Sequence, residues 1–371
     1  MSQNLISASV VPPGRILLRE LEARGWTQKD LAEIMGRPLQ AINEIIRGSK
    51  QITPETALEL AETFGTSPEL WTNLEADYRL HLARQKKDGT GISRRSLLFS
   101  LAPVSELLRR SWIGKPSSPE DLERGVCAFL GISSLDETPK VAASFRHAEE
   151  RGPQLNAQIA WVKRVEHLAR AQQVPEFDRG VLERAIPEIL ANAVRTEDVS
   201  QVPSMLLRLG IHFVIVPHLP KTYLDGAALY LDGRPVVALT LRYDRVDAFW
   251  FTLMHELGHI VAGHQGVYLD SLDSVAREGD ADEREANHLA SEWLVRSEAL
   301  AGFINRTKPR FSRARIIAFA EQQRRHPGIV LGQLQRNDLV GFGHLRSLLV
   351  RVGPLLKPWI DVPSPQDFSL N

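Results

Sequence analysis

The stretch Ala248-Phe249-Trp250-Phe251-Thr252-Leu253-Met254-His255-Glu256-Leu257-Gly258-His259-Ile260-Val261 constrains this chain more than any other. Apolar side chains occupy nearly every side of a 3.6-residue period. The spacing therefore predicts a long helix, from about Asp247 to about His264, with no solvent face. Such a helix belongs inside a core, yet it brings three ionisable groups with it, and those groups need a partner there. His255 and His259 stand four residues apart and project about 40° from one another on the helix cylinder, so both can hold one metal ion. Glu256 lies beside them, placed next to the water of such a site and suited to act as its general base. On a polar helix the same three residues would mean little; the apolar setting favours the metal.

A catalytic zinc takes three protein ligands and leaves one position open. The pattern H-E-x-x-H-x-x-G-x-x-H would supply a third histidine, but this chain has Ala262 at the glycine and Gln265 at that histidine. His264 is one position off and about 100° away on a continuing helix, which predicts a surface or supporting residue rather than a ligand. The other source is the next helix, predicted over about Asp282 to Glu298. Glu283 falls within about 80° of Ala286, Ala290, Trp293 and Leu294, the inward side of that helix, while Glu285 falls nearly opposite. Glu283 is the favoured third ligand and Glu285 the remaining candidate. Asn287, one turn past Glu283, is suited to orienting a ligand histidine.

The segment Ile211 to Val216 reads as a strand. Ala227–Leu231, the turn at Asp232-Gly233 and Pro235–Leu241 read as a hairpin. Val236 to Leu241 has two readings, an exposed edge that holds a peptide as an added strand or a core strand packed on the long helix. Tyr223, Arg242, Tyr243 and Tyr268 are near the motif in sequence, but nothing singles one out as an oxyanion partner. Residues 95–205 read as helices punctuated by prolines and carry no functional signal. The expected organisation is a five-helix module over 1–85, a polar linker over 86–94, the helical region 95–205 and a zincin-like domain over 206–371, in a mainly α chain with a small β-sheet (α+β).

Within the first module, Thr27 to Gly36 and Arg37 to Gly48 form a short helix, a tight turn and a second helix, the layout of a helix-turn-helix. Gln40 and Asn43 can pair with adenine edges, Gln28, Arg47 and Lys50 can hold phosphates, and Arg37 and Ala41 complete the candidate face on double-stranded DNA. The whole chain balances 45 Lys and Arg against 45 Asp and Glu, so any contact with nucleic acid must come from a local patch. Residues 1–85 hold nine basic against eleven acidic residues, a net of −2, so one copy should bind DNA weakly. The other reading is a small helical bundle that binds protein only. A single cysteine, Cys127, and no leader-like N-terminus predict a cytoplasmic protein, and no apolar run is long enough for a membrane span.

Two resemblances follow from these residues. Pro13-Gly14, Thr27-Gln28, Leu31-Ala32, Gly36, Ile42, Gly48, Thr53-Pro54-Glu55-Thr56-Ala57 and Trp71 make the first module similar to XRE-type helix-turn-helix domains, and within them to HigA antitoxins. That resemblance implies a DNA-binding repressor acting as a homodimer, though Pro38 and Asn43 stand where the family usually carries serine. Leu224–Ala227, Thr240–Asp244, Phe249–His259 and Glu283-x-Glu285-Ala286-Asn287-x-Leu289-Ala290 resemble the ImmA/IrrE metallopeptidases. This second resemblance implies one Zn²⁺ per chain, a glutamate of the downstream helix as third ligand, and a protein substrate, since known members cut a transcriptional repressor. Another divalent ion would suit the same ligands. The alternative function is a repressor whose peptidase-like domain senses a ligand or partner without cleaving it.

Overall fold

Blocks of apolar residues at helical spacing, closed by glycines and capped by threonine and serine, account for most of the chain. A computed structural model describes residues 11–86, 90–139, 153–270 and 281–362, which divide into two compact units after Arg94. The first contains α1 (Pro13–Arg24), α2 (Gln28–Ile34), α3 (Leu39–Ile46), α4 (Pro54–Phe64) and α5 (Pro68–Lys86). Thr27 starts α2 through a reciprocal box with Asp30, and Gly36, at φ +61, turns the chain towards α3. Leu17, Leu31, Ile42, Leu60 and Trp71 form the core of this unit. α1 begins hard against the end of α3: a Cβ on Gly14 would lie 2.1 Å from the Ile46 carbonyl oxygen.

A sixth helix, α6 (Thr90–Leu101), crosses the division between the units, so part of the expected linker over 86–94 is helical. α7 (Val104–Arg109), α8 (Pro119–Leu130), α9 (Pro153–Arg170), α10 (Arg179–Ala191) and α11 (Val202–Arg208) follow. Then come β1 (His212–Ile215), β2 (Gly226–Leu231), β3 (Arg234–Leu239), α12 (Val246–Ala262), β4 (Tyr268–Asp270) and α13 (Ala281–Leu294). The second unit ends in α14 (Ser297–Thr307), α15 (Arg313–Gln323), α16 (Pro327–Arg336) and α17 (Gly353–Leu356). Among the described residues no helix is long and apolar enough to cross a membrane.

The strands form one sheet in the order β1-β3-β2-β4, with β1 and β3 parallel and β2 antiparallel to both neighbours. Asp232 and Gly233, both at positive φ, close the β2–β3 hairpin in register Leu231 to Arg234. β3 is therefore interior, and the edge-strand reading of Val236 to Leu241 is corrected. Val236, Val237 and Ala238 are all fully buried, as a strand covered on both faces must be. Alternation along the strands sends Val214, Ala227, Leu229, Val236 and Ala238 to one face, packed on Phe129, Trp161 and Val162. Phe213, Ile215, Ala228, Val237 and Leu239 face the other way, onto Trp250, Leu253, Met254 and Leu257 of α12 and onto α10 and α11. Residues 95–205 thus supply helices to both faces of the sheet, and α12 is the buried layer that the sheet holds in place.

Gly14→Ala tests the α1–α3 approach in the first unit. The added methyl forces the helices apart and costs about 1–3 kcal/mol. Hydrogen exchange should quicken across residues 13–46 and stay unchanged across residues 246–262.

Candidate metal centre and nucleic-acid interface

Every residue of α12 from Val246 to Ile260 is buried, so its polar side chains can reach only what packs against the helix. α13 packs there closely because the residues at the crossing are small. A Cβ on Gly258 would lie 3.2 Å from the Cα and carbonyl oxygen of Ala286, and Ala286 and Ala290 are wholly buried. The same face of α13 carries Glu283. Its Oε2 lies 3.2 Å from His255 Nε2 and its Oε1 3.6 Å from His259 Nε2, and the two imidazole Nε2 atoms are 3.0 Å apart. Four-coordinate zinc with bonds of about 2.0–2.2 Å sets its donors roughly 3.3–3.5 Å apart, so two imidazoles and a carboxylate in this arrangement fit the ion. Among the described residues no other cluster of His, Cys, Asp and Glu converges in this way.

The electrostatics agree with the donor set. Burial pushes the His259 imidazolium pKa down, which favours the neutral ring a metal needs, although Glu283 pulls the other way. Burial raises the Glu283 carboxyl, and positive charge between the rings outweighs it and holds the group well below the usual carboxylate range: the charge is that of the imidazoles when they are protonated, and a cation takes its place when both rings are neutral donors. Asn287 Oδ1 lies 3.2 Å from His255 Nδ1. An amide oxygen only accepts, so Nδ1–H donates to it and the Nε2 lone pair points at Glu283 and His259.

Glu256 is fully buried on the adjoining side of α12, against the first residue of β2. A Cβ on Gly226 would come within 2.5 Å of both Glu256 Oε1 and Thr252 Cγ2, so only glycine lets the carboxylate and the strand meet at this distance. Thr240 fixes that strand end, its backbone N–H donating to the Asp225 carbonyl at 2.9 Å and its hydroxyl to the Leu224 carbonyl at 2.8 Å. Nothing in the spacing of the sequence marked Gly226. In sequence it lies within Leu224–Ala227, one of the stretches that carry the second resemblance, just before the expected hairpin.

Glu285 and His264 take other places. Gly263, at φ +77, ends α12, so the helix does not continue through His264 as the sequence suggested. The chain folds back and sets His264 Nδ1 2.9 Å from His259 Nδ1, with His264 Nε2 3.3 Å from Glu285 Oε2. Tyr268, one of four polar residues that sequence proximity could not rank, stacks on His259 at 4.1 Å and donates its hydroxyl to Asp282 Oδ2 at 2.6 Å.

In the first unit, α3 presents Gln40, which donates to Glu44 at 3.0 Å. Asn43 and, at the start of α2, Gln28 are half-buried, while Arg47 and Lys50 are exposed. Two members of the predicted DNA face are committed elsewhere. Ala41 is 8% exposed and turns inward beside Ile42 and Ile45, because the 100° helical step puts it on the core side of α3, so it is removed from that face. Arg37 spends its guanidinium on Glu59 of α4, with a 3.1 Å contact from its terminal nitrogen.

Residues 17–71 match the helix-turn-helix family and residues 208–310 match the family described as an IrrE N-terminal-like domain. The chain belongs to the helix-turn-helix family and carries an IrrE-like domain. Virulence-associated protein I of Dichelobacter nodosus is 36% identical over 83 residues, 22% of this chain and 77% of that protein. An uncharacterized HTH-type transcriptional regulator, YddM, of Escherichia coli is 27% identical over 82 residues, 22% of this chain and 87% of that one. A solved structure described as an addiction module antidote protein of a HigA family from Coxiella burnetii is 34% identical, covering 24% of this chain and 92% of its own, with a TM-score of 0.21. The IrrE-like match spans β1 to β4, α12 and α13, and so contains His255, Glu256, His259 and Glu283.

Elemental analysis of the full chain purified without chelator and loaded with excess zinc checks the donor set of this IrrE-like domain. About one zinc per chain is expected in the wild type and in Glu285→Ala, and close to none in Glu283→Ala. Equal loss in both variants would remove Glu283 from its place.

Proposed function

We propose that this protein is a DNA-binding regulator whose second unit is a zinc-dependent endopeptidase that cuts a regulatory protein. The observation that carries this reading is the convergence of His255, His259 and Glu283 with Glu256 buried alongside on the same helix. When bound, zinc supplies a Lewis acid for the scissile carbonyl and acidifies water. Glu256 takes the proton from the attacking water as the new C–O bond forms, then passes it to the amide nitrogen as the C–N bond breaks. Asn287 holds the His255 ring, and Gly226 leaves the space in which the Glu256 carboxylate moves the proton. The substrate follows from the first unit: a peptidase joined to a helix-turn-helix domain is brought to the DNA where repressors sit, and the polar sequence over 86–94 of its own chain is a second candidate for the same cut.

Glu256→Gln separates binding from chemistry. The variant should hold zinc as the wild type does and lose about 10²–10⁴-fold in cleavage rate. New protein N-termini mapped in cells expressing either form should include wild-type-specific cuts in a helix-turn-helix regulator or near residues 86–94. Cuts that persist in Glu256→Gln reject the assignment.

For DNA, the proposal assigns base contacts to Gln40 and Asn43 and phosphate contacts to Gln28, Arg47 and Lys50, with two copies reading half-sites about 34 Å apart. On a duplex selected from a random library, Arg47→Ala and Lys50→Ala should each lower the slope of log affinity against log salt by about 0.9. Asn43→Ala should relax base preference and leave that slope unchanged. A slope untouched by either basic substitution excludes them as phosphate contacts.

A further inference from the structure

The helix that carries both histidines stops one residue short of where it would carry His264 away. Gly263 adopts φ +77, its amide and that of His264 return to the carbonyls of Ile260 and His259, and His264 comes to lie at the Nδ1 edge of the His259 ring with only 8% of its side chain exposed. Beyond it stand two carboxylates, Glu285 Oε2 at 3.3 Å and Asp282 Oδ1 at 3.7 Å from His264 Nε2. Asp282 is itself held by the hydroxyl of Tyr268, whose ring covers the face of His259.

We propose that His264, backed by Glu285 and Asp282, is a positioning residue that fixes the tautomer and ring plane of His259 for the metal. The argument is one of donors and acceptors. Ionised carboxylates only accept, so His264 Nε2 carries the hydrogen and, in the neutral ring, His264 Nδ1 is a bare acceptor. His259 Nδ1, 2.9 Å away, therefore donates to it, which leaves His259 Nε2 without a hydrogen on the side facing Glu283. Asn287 does the same for His255 with an amide oxygen. The two ligand rings are thus oriented by different groups from opposite directions, and both present Nε2 lone pairs 3.0 Å apart, an arrangement that a cation relieves. Stacking on Tyr268 at 4.1 Å and 23° stops the His259 ring from rotating out of that plane.

This inference rests on the zinc reading of the site, and zinc affinity tests it without recourse to cleavage. The dissociation constant of the full-length chain is measured by competition with a chromophoric chelator for the wild type, His264→Phe and His264→Gln. His264→Gln keeps an amide oxygen that can accept from His259 Nδ1. His264→Phe should bind zinc about 10–100-fold more weakly, and His264→Gln should recover most of that loss. If His264→Phe fails to fold, judged by the far-ultraviolet spectrum of the zinc-free chain, the double variant Asp282→Ala/Glu285→Ala decides. Both positions are partly exposed, and the double variant should bind zinc severalfold more weakly. Wild-type affinity in His264→Phe or in the double variant overturns the inference, as does an equal loss in His264→Phe and His264→Gln, because filling the space would then be all that matters. A wild-type chain with no affinity for zinc overturns the zinc reading together with it.

Discussion

Three ionisable side chains, His255, Glu256 and His259, sit at 1% exposure or less in a helix that has no solvent face, and the second unit is arranged around their burial. A charged or polar group in such a place is stable only when its neighbours complete its hydrogen bonds or share its charge. The chain meets that need for the two histidines with three side chains from two elements. α13 approaches closely over Gly258, Ala286 and Ala290 and delivers the Glu283 carboxylate to both imidazoles. The same helix delivers Asn287 to the far nitrogen of His255, and the turn after α12 delivers His264 to the far nitrogen of His259.

The sheet has a matching role. β2 runs past α12 with Gly226 at its start, and the absence of a side chain there is what allows the strand and the Glu256 carboxylate to occupy adjacent space. Thr240, the residue after β3, anchors that strand end, and β3 is itself buried on both faces, so Glu256 is placed against an interior part of the molecule rather than a movable edge. Rigid placement of a proton-transferring group matters because small displacements at a reacting centre are expensive in rate. The helices from residues 95–205 support this indirectly, with α9 covering one face of the sheet and α10 and α11 joining α12 on the other.

What could be read from the sequence follows the range of the forces involved. α12 was legible because its apolar composition and i,i+4 histidines are local features, and the inward face of α13 was legible because a 100° step places Glu283 with Ala286 and Ala290 and sets Glu285 apart. The sequence reads His264 as a surface or supporting residue on a continuing helix; one glycine at positive φ instead reverses the chain and brings it to the far nitrogen of His259. Ala41 was drawn onto the DNA face by its neighbours Gln40 and Asn43, although the helical step turns it into the core. The position of β3 within the sheet, the place of Gly226 and the role of the 95–205 helices depend on contacts between residues far apart in the chain, which no local period encodes.

The most direct test of the metal centre is a crystal of the zinc-loaded chain measured with X-rays on either side of the zinc absorption edge. A single anomalous peak should lie about 2.0–2.2 Å from His255 Nε2, His259 Nε2 and a Glu283 carboxylate oxygen, with one position left for water. A peak centred instead on His264 and Glu285, or no peak at the histidines of α12, would show that these buried groups serve the fold and not a metal.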